Sequence, residues 1–451
     1  MATLGIDGLV SGLDTTSLIN QLMQVESGPQ TLLKTKQTAT TSLVTALQAL
    51  NTKVSSLGDA ATKAATASSW QVTKATSSAT SVTATTSAGA SAAALSFTVD
   101  KVATSQVSLA SYDDLVAGLG GATTLTVRRP DGTTTEVAVG SSAADLATNI
   151  TASGAGVSAA VVTANGTTRL QLTGKTPGEA NAFELYAGKA ADVVAGQPAL
   201  ATTSLRAAGD AAITLWAGTA GAQQVTSSTN TFADVLAGVS ISVSAVEATP
   251  VTLNVARDTA AVTSLASGLV GSLGVVLSEI TSRTTATTTT DTDGRTVVSG
   301  GLFAGESSTR DLQQRLQQAA SYPVDGISPS TVGIVVGRDG TFTFDQTAFE
   351  AALAADPAKV QKVVSGLAQR VADVATRTSD KVDGSLTLQI AGQQTLVSDM
   401  GDQIASWDVR LALRRESLQR TYSALEVTLS GLQSQSSWLS GQLASLSTSS
   451  S

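Results

Sequence analysis

The last helical stretch of this chain constrains its fold more than any other segment. Leu418, Tyr422, Leu425, Leu429, Leu432, Ser436, Leu439, Leu443 and Leu446 step alternately by four and three. Only Ser436 breaks the apolar character. This is the heptad spacing of a helix that buries one narrow stripe against another helix. Upstream, Val397, Met400, Ile404, Trp407 and Leu411 follow the same rule, with one extra step near Arg414-Arg415. A stripe of this length needs a partner.

The opposite end of the chain supplies a candidate. In "SGLDTTSLINQLMQVE" (11–26) an apolar stripe runs through Leu18, Ile19, Leu22 and Val25. Asp14, Thr15 and Thr16 are suitable N-caps for a helix starting near Thr15. The spacing predicts a halt or kink at Gly28-Pro29, because proline lacks the donor that a helix interior uses. Beyond it, Leu32, Ala39, Leu43, Leu47, Leu50, Val54 and Leu57 continue the register, with Pro29 and Lys36 out of type. The helical pattern stops near Trp70.

From there to about Arg257 the texture changes to short Val/Thr/Leu runs punctuated by Gly, Asn and Asp. "TLTVRRPDGTTTEVAV" (124–139) reads as a hairpin turning at Pro130-Asp131-Gly132, and "VSAAVVTANGTTRLQL" (157–172) as one turning at Asn165-Gly166. Between them "SSAADLATNI" (141–150) reads as a short helix. A weak recurrence of this order in 212–255 suggests two related β-rich modules. Helical texture returns after Asp258. An apolar helix is expected over 258–283, a loop over the Thr-rich 284–295, a helix over 308–320 and a hairpin over 333–345. Asp356 and Pro357 begin a further helix, expected to close at Gly366.

Composition narrows the function classes. Aromatics are only 3% against 42% hydrophobic residues, so Ala, Val and Leu do the packing over several small cores. A net charge of −8 argues against a phosphate backbone as partner, so no nucleic acid is expected. The chain has neither Cys nor His, which removes thiol chemistry, Cys/His metal sites and His relays. No catalytic residue, metal or cofactor is assigned. "DTDG" (291–294) lacks the further carboxylates of a calcium loop. Asn165-Gly166-Thr167 fits a glycosylation acceptor but reads better as a turn. No run of 18 apolar residues is present, so no membrane span is expected. The opening lacks the basic and apolar regions of a cleaved signal peptide, so Sec-type export is not expected. Arg128-Arg129 and Arg414-Arg415 read as solvated basic pairs; alternatively, Arg414 and Arg415 face acidic groups across a subunit boundary.

Four ordered blocks carry a resemblance. "LGIDGLVSGLDTTSLINQLMQVE" (4–26) holds Ser11, Gly12, Leu13 and Asp14 ahead of an apolar helix ending in Val-Glu. "STNTFADVLAGVSISV" (228–243), "VTLNVARDTAAV" (251–262) and "TYSALEVTLSGLQSQSSWLSGQL" (421–443) follow in order. Together they resemble the flagellar filament cap family, the hook-associated protein 2 family, over nearly the whole chain; residues 74–118 and 284–300 add little. Residues 120–187 are similar to a β module shared with flagellin relatives. Tyr422 and Trp438 stand where relatives often carry other aromatic residues, which keeps the ring.

The resemblance implies a structural cap rather than an enzyme. The expected fold is α+β: a helical coiled-coil stalk formed by the N- and C-terminal segments, with two inserted β-rich modules. The expected division is 1–40 with 405–451 as filament-engaging segments, 41–70 with 258–404 as stalk, 71–112 with 205–257 as one β module, and 113–204 as the other. Implied partners are further copies of the chain in a ring of five, flagellin, the hook-associated junction proteins and a flagellar export chaperone. The implied location is the extracellular flagellum tip, reached through the flagellar type III apparatus. Leu18, Ile19, Leu22, Val25, Tyr422, Leu425, Leu429, Leu432, Leu439 and Leu443 are the expected oligomer- and filament-binding residues. Leu425, Leu429 and Leu432 are expected to form, with Leu18 and Leu22, part of a seam that pairs with a neighbour or with filament subunits, and Leu429→Asp to abolish ring formation or tip binding while the β modules stay folded. Alternatives are a surface adhesin meeting host ligands, or another flagellar axial protein; a glycan-processing enzyme has no motif in its favour.

Overall fold

The computed structural model describes residues 12, 14–194 and 196–448. Helices α1 (Thr15–Glu26) and α2 (Gly28–Ala65) come first, and α3 (Tyr112–Gly118) and α4 (Ala143–Ala152) lie among strands. Then follow α5 (Thr259–Thr284), α6 (Ser307–Ser321), α7 (Gln346–Ala355), α8 (Pro357–Ser379) and α9 (Ser385–Thr448). The fold is α+β, and the chain separates into a helical unit (1–66 with 263–451) and a β-rich unit (67–262).

In the helical unit α2 packs on α8 and α9, and α6 and α7 pack on α8. Leu47, Leu50, Val54, Leu57 and Ala61 of α2 are buried, as are Val360, Val363, Val364, Leu367, Val371 and Ala375 of α8. Small residues set how closely α2 and α8 approach: a Cβ on Gly58 would sit 3.3 Å from the Ala375 Cβ. Asp356 starts α8 by accepting the Lys359 N–H at 2.9 Å, with Pro357 in the first turn, as the sequence predicts. The expected stop at Gly366 does not occur. α8 runs on to Ser379, and Gly366 faces Val324, whose Cγ1 would lie 2.7 Å from an added Cβ. That glycine makes room for a neighbour.

A second expectation also fails. Residues 287–290 and 296–299 pair as an antiparallel hairpin in place of a loop, turned through Asp291–Gly294 with Gly294 at φ 76°. β-branched Thr and Val favour the extended backbone, and Asp293-Gly294 supplies the turn. Helix α5 is, by length and composition, long and apolar enough to cross a membrane, which the count of uninterrupted apolar residues did not register. Its Leu269, Leu273, Val276 and Ile280 are buried in the protein. Glu279 of α5 bonds both Lys53 of α2 and Arg283. Those contacts hold its carboxyl below the usual range, the Lys53 hydrogen bond contributing most and burial opposing it.

The β-rich unit holds two cores. Strands 73–77, 247–257, 93–101, 211–215 and 223–227 form one sheet, in that order, and 231–236, 239–243 and 82–86 a second. Phe97, Val99, Ile213, Phe232, Ile241 and Leu253 fill the space these strands enclose. The second core, with Leu125, Leu146, Ile150, Leu170, Leu172 and Phe183, lies under the sheets 203–206/107–111/167–174/157–164 and 134–138/124–128/184–187. Both predicted hairpins and the short helix form, with strand pairs 124–128/134–138 and 157–164/167–174 around α4. The module boundary differs from expectation. Strands 107–111 and 203–206 pair with each other inside the inserted module, not with the flanking one. The chain crosses between modules at Thr104 and Gly209, which exchange backbone hydrogen bonds of 2.9 and 3.0 Å.

Candidate assembly interface

Helix α1 starts where its cap dictates: the Asp14 carboxylate accepts the Ser17 N–H at 2.8 Å. The predicted break at Gly28-Pro29 is a tight joint. Ser27 keeps helical angles (φ −78°, ψ −6°), its N–H reaches Met23 O at 2.9 Å, and its carbonyl accepts from Thr31 at 2.9 Å. The two helices therefore follow one path beside α9.

That path runs antiparallel to α9. The Arg415 guanidinium donates to Asn20 Oδ1 at 2.5 Å, and Arg414 pairs with Glu26 at 2.8 Å. Gln30 donates to Asp408 at 2.5 Å and to the Ile404 carbonyl at 3.3 Å, and Gln37 to the Val397 carbonyl at 3.1 Å. As one number rises the other falls. The apolar gap at Arg414-Arg415 is thus filled by polar contacts to Glu26 and Asn20 within the chain. Arg410 stacks over the Trp407 ring at 4.6 Å. A shallow hollow of ≈ 410 Å³ beside Met23, Leu411 and Arg415 marks where α1 meets α9.

This pairing splits the predicted stripe of α1 in two. Ile19 faces inward and is buried, together with Thr15 and Met23. Leu18 and Leu22 are 39% and 40% exposed, and Val25 is 78% exposed. The same shift runs into α2, where Leu32 is 72% exposed while Gln30, Thr40 and Val44 are buried. The inner face of the first half of α2 is polar, so counting apolar residues selects the neighbouring row. Gln30, Gln37 and Val44 recur every seven residues, a signal visible only when glutamine is admitted to a seam.

On α9 the seam turns inward as far as Tyr422 and then opens. Met400 is buried, and Val397, Ile404, Trp407, Leu411, Leu418 and Tyr422 are half-buried. Beyond them Leu425, Leu432, Leu439 and Leu443 are 44%, 56%, 55% and 62% exposed, and Trp438 is 66% exposed. Leu429 is half-buried and Glu426 buried. Within one copy, Leu425, Leu429 and Leu432 do not meet Leu18 and Leu22. The contact at Asn20 falls on Arg415, and Leu425 lies about 15 Å farther along the helix. Gly12 has φ 71° with open space around its Cα; Ser11, Leu13 and Leu446's side chain lie outside the described residues. Among the described residues no group of three or more acidic side chains is placed to hold a metal.

Comparison with known proteins agrees with this layout. The model for the flagellar hook-associated protein 2 C-terminus matches residues 208–434, and that for its N-terminus matches residues 11–106. A flagellar hook-associated protein 2 from Thermotoga maritima is 25% identical over 231 residues, 46% of this chain and 37% of the relative. A B-type flagellar hook-associated protein 2 from Pseudomonas aeruginosa is 26% identical over 310 residues, 65% of each chain. The matches thus span less than two thirds of these relatives' own lengths. The solved D1-D2-D3 domains of the flagellar cap protein FliD from Escherichia coli share the fold, with a TM-score of 0.61 at 22% identity over 77% of this chain and 99% of that one. By its sequence blocks, its matched family models and its fold, the chain belongs to the flagellar hook-associated protein 2 family.

Proposed function

We propose that this protein is a structural cap at the distal end of a bacterial flagellar filament, working as a ring of its own copies. In this role it retains exported flagellin under the cap until each subunit folds into the filament, so that motility depends on it. The observation that supports this reading most directly is the exposed apolar row Leu425, Leu432, Leu439 and Leu443 on α9, with Leu18, Leu22 and Val25 on α1. Exposed apolar stripes at heptad spacing serve to pack against another helix. Here the other helix belongs to a second copy or to a filament subunit.

No covalent chemistry enters this role; the work is done by packing alone. The junction proteins below the filament and an export chaperone covering the end of α9 before secretion complete the set of partners. The site of action is the extracellular flagellum tip, reached by type III export. Leu432→Asp and Leu439→Asp test the reading. Both side chains are exposed, so folding stability should change by no more than about 1 kcal/mol. Ring formation and filament-tip binding, followed by sedimentation and electron microscopy, should be lost. Cells lacking the gene should release flagellin monomer and carry hooks without filaments. Normal filaments in those cells would overturn the proposal.

A further inference from the structure

Asn165 and Gly166 form the two-residue turn between strands 157–164 and 167–174, closing on the pair Ala164↔Thr167. Both residues hold left-handed backbone, Asn165 at φ 51° and Gly166 at φ 76°, as such a turn requires. Both are exposed, as is every residue from 160 to 167, and a Cβ on Gly166 would meet nothing within 4 Å. The Asn165 amide makes no hydrogen bond among the described residues, and Gly166 N–H takes no part in the ladder.

Four of the other six asparagines have a side-chain hydrogen bond. Asn149 donates to Ala138 O, Asn181 to Pro177 O and Asn230 to Ala103 O, while Asn20 accepts from Arg415. Asn51 sits within α2 and Asn254 within a paired strand. None of the six is followed by glycine.

From this we infer that Asn165 is a site of spontaneous, backbone-assisted deamidation in the folded protein. The Gly166 nitrogen attacks Asn165 Cγ, ammonia leaves, and a five-membered succinimide forms. Water then opens the ring at one carbonyl or the other, giving aspartate or isoaspartate. In sum, one amide and one water become one carboxylic acid and one ammonia. Glycine at the next position carries no side chain to block the approach, and the exposed tip of the hairpin opens locally at low cost.

The product carries a new negative charge, moving the net charge from −8 to −9. The isoaspartyl form also lengthens the backbone by one atom, which the two-residue turn cannot accommodate. The pairs Ala164↔Thr167 and Thr163↔Thr168 open, while Leu170 and Leu172 stay anchored in the core.

The test is to hold the intact chain in mildly alkaline buffer and map its peptides by mass and retention over days. The Asn165 peptide should convert first, into two products sharing the amide-to-acid mass shift, with ammonia released in step. Asn165→Gln, whose longer side chain would have to close a six-membered ring, should suppress the conversion several-fold. An Asn165 peptide that stays intact in the folded chain yet converts in denaturant would overturn the inference, because the turn would then protect it. Earlier conversion at another asparagine would overturn it equally.

Discussion

At the residue scale, the polar contacts between the first and last helices do what an apolar seam alone does not. Leucines at alternating spacing allow several registers, whereas Gln30 on Asp408 and Ile404 O, and Gln37 on Val397 O, suit only one. These glutamines were not legible as contact residues, since a hydrophobic pattern omits them. Asp14 and Asp356 were legible, because a capping carboxylate acts within its own turn and depends on nothing distant. Glu279 carries a prediction at this scale. Its folded pKa is depressed, so the stability it contributes is present above the ordinary carboxylate range and is lost as pH falls through the folded value. Glu279→Gln should destabilise the helical unit at neutral pH by about 1 kcal/mol, Lys53 and Arg283 being partly solvated. The deficit should vanish in acid. Denaturant titrations of both proteins across that range will show whether the two curves converge.

At the element scale, α2 and α8 are held together by small residues. Gly58 and Ala375 set the approach, with Ala61, Ala64, Ala368 and Ala372 buried along the same face. Ala375→Leu should force the helices apart and cost about 1–3 kcal/mol, read as a lower unfolding midpoint of the helical unit. An unchanged midpoint would mean that the two helices yield at this contact without cost. The failed expectations also belong here. The Thr-rich run 284–295 reads as a loop because its composition is polar, yet β-branched residues on either side of Asp293-Gly294 close a hairpin. Gly366 reads as a helix stop, but its meaning is the 2.7 Å approach of Val324, a contact from a distant part of the sequence. Glycine marks turns and close packing alike, and local sequence does not separate them.

At the scale of the whole molecule, the β-rich unit begins and ends at adjacent points. Strand 73–77 pairs with the end of 247–257, and Asp258 N donates to Val72 O at 3.0 Å. With two cores of its own, residues 67–262 should fold when expressed alone. The isolated fragment should give a cooperative unfolding transition and dispersed amide resonances; a fragment lacking both would show that the helical unit is needed. The exposed row on α9 is also a whole-molecule property, since exposure depends on where every other helix ends.

The helical ends, the β-rich centre, both hairpins of the inserted module and the family resemblance are all legible in the order of the residues. These rest on period, turn chemistry and ordered blocks, all short-range features that survive without knowledge of contacts. Tertiary structure alone decided which of two adjacent rows on α1 and α2 faces inward. It also decided that the strands 107–111 and 203–206 belong to the inserted module, and that the seam of α9 opens beyond Tyr422. Each of those depends on a partner far away in the chain: α9 for the rows, the opposite strand for the module, the reach of α1 for the seam. Periodicity states that a face will be buried; only the partner's position states which residues it covers.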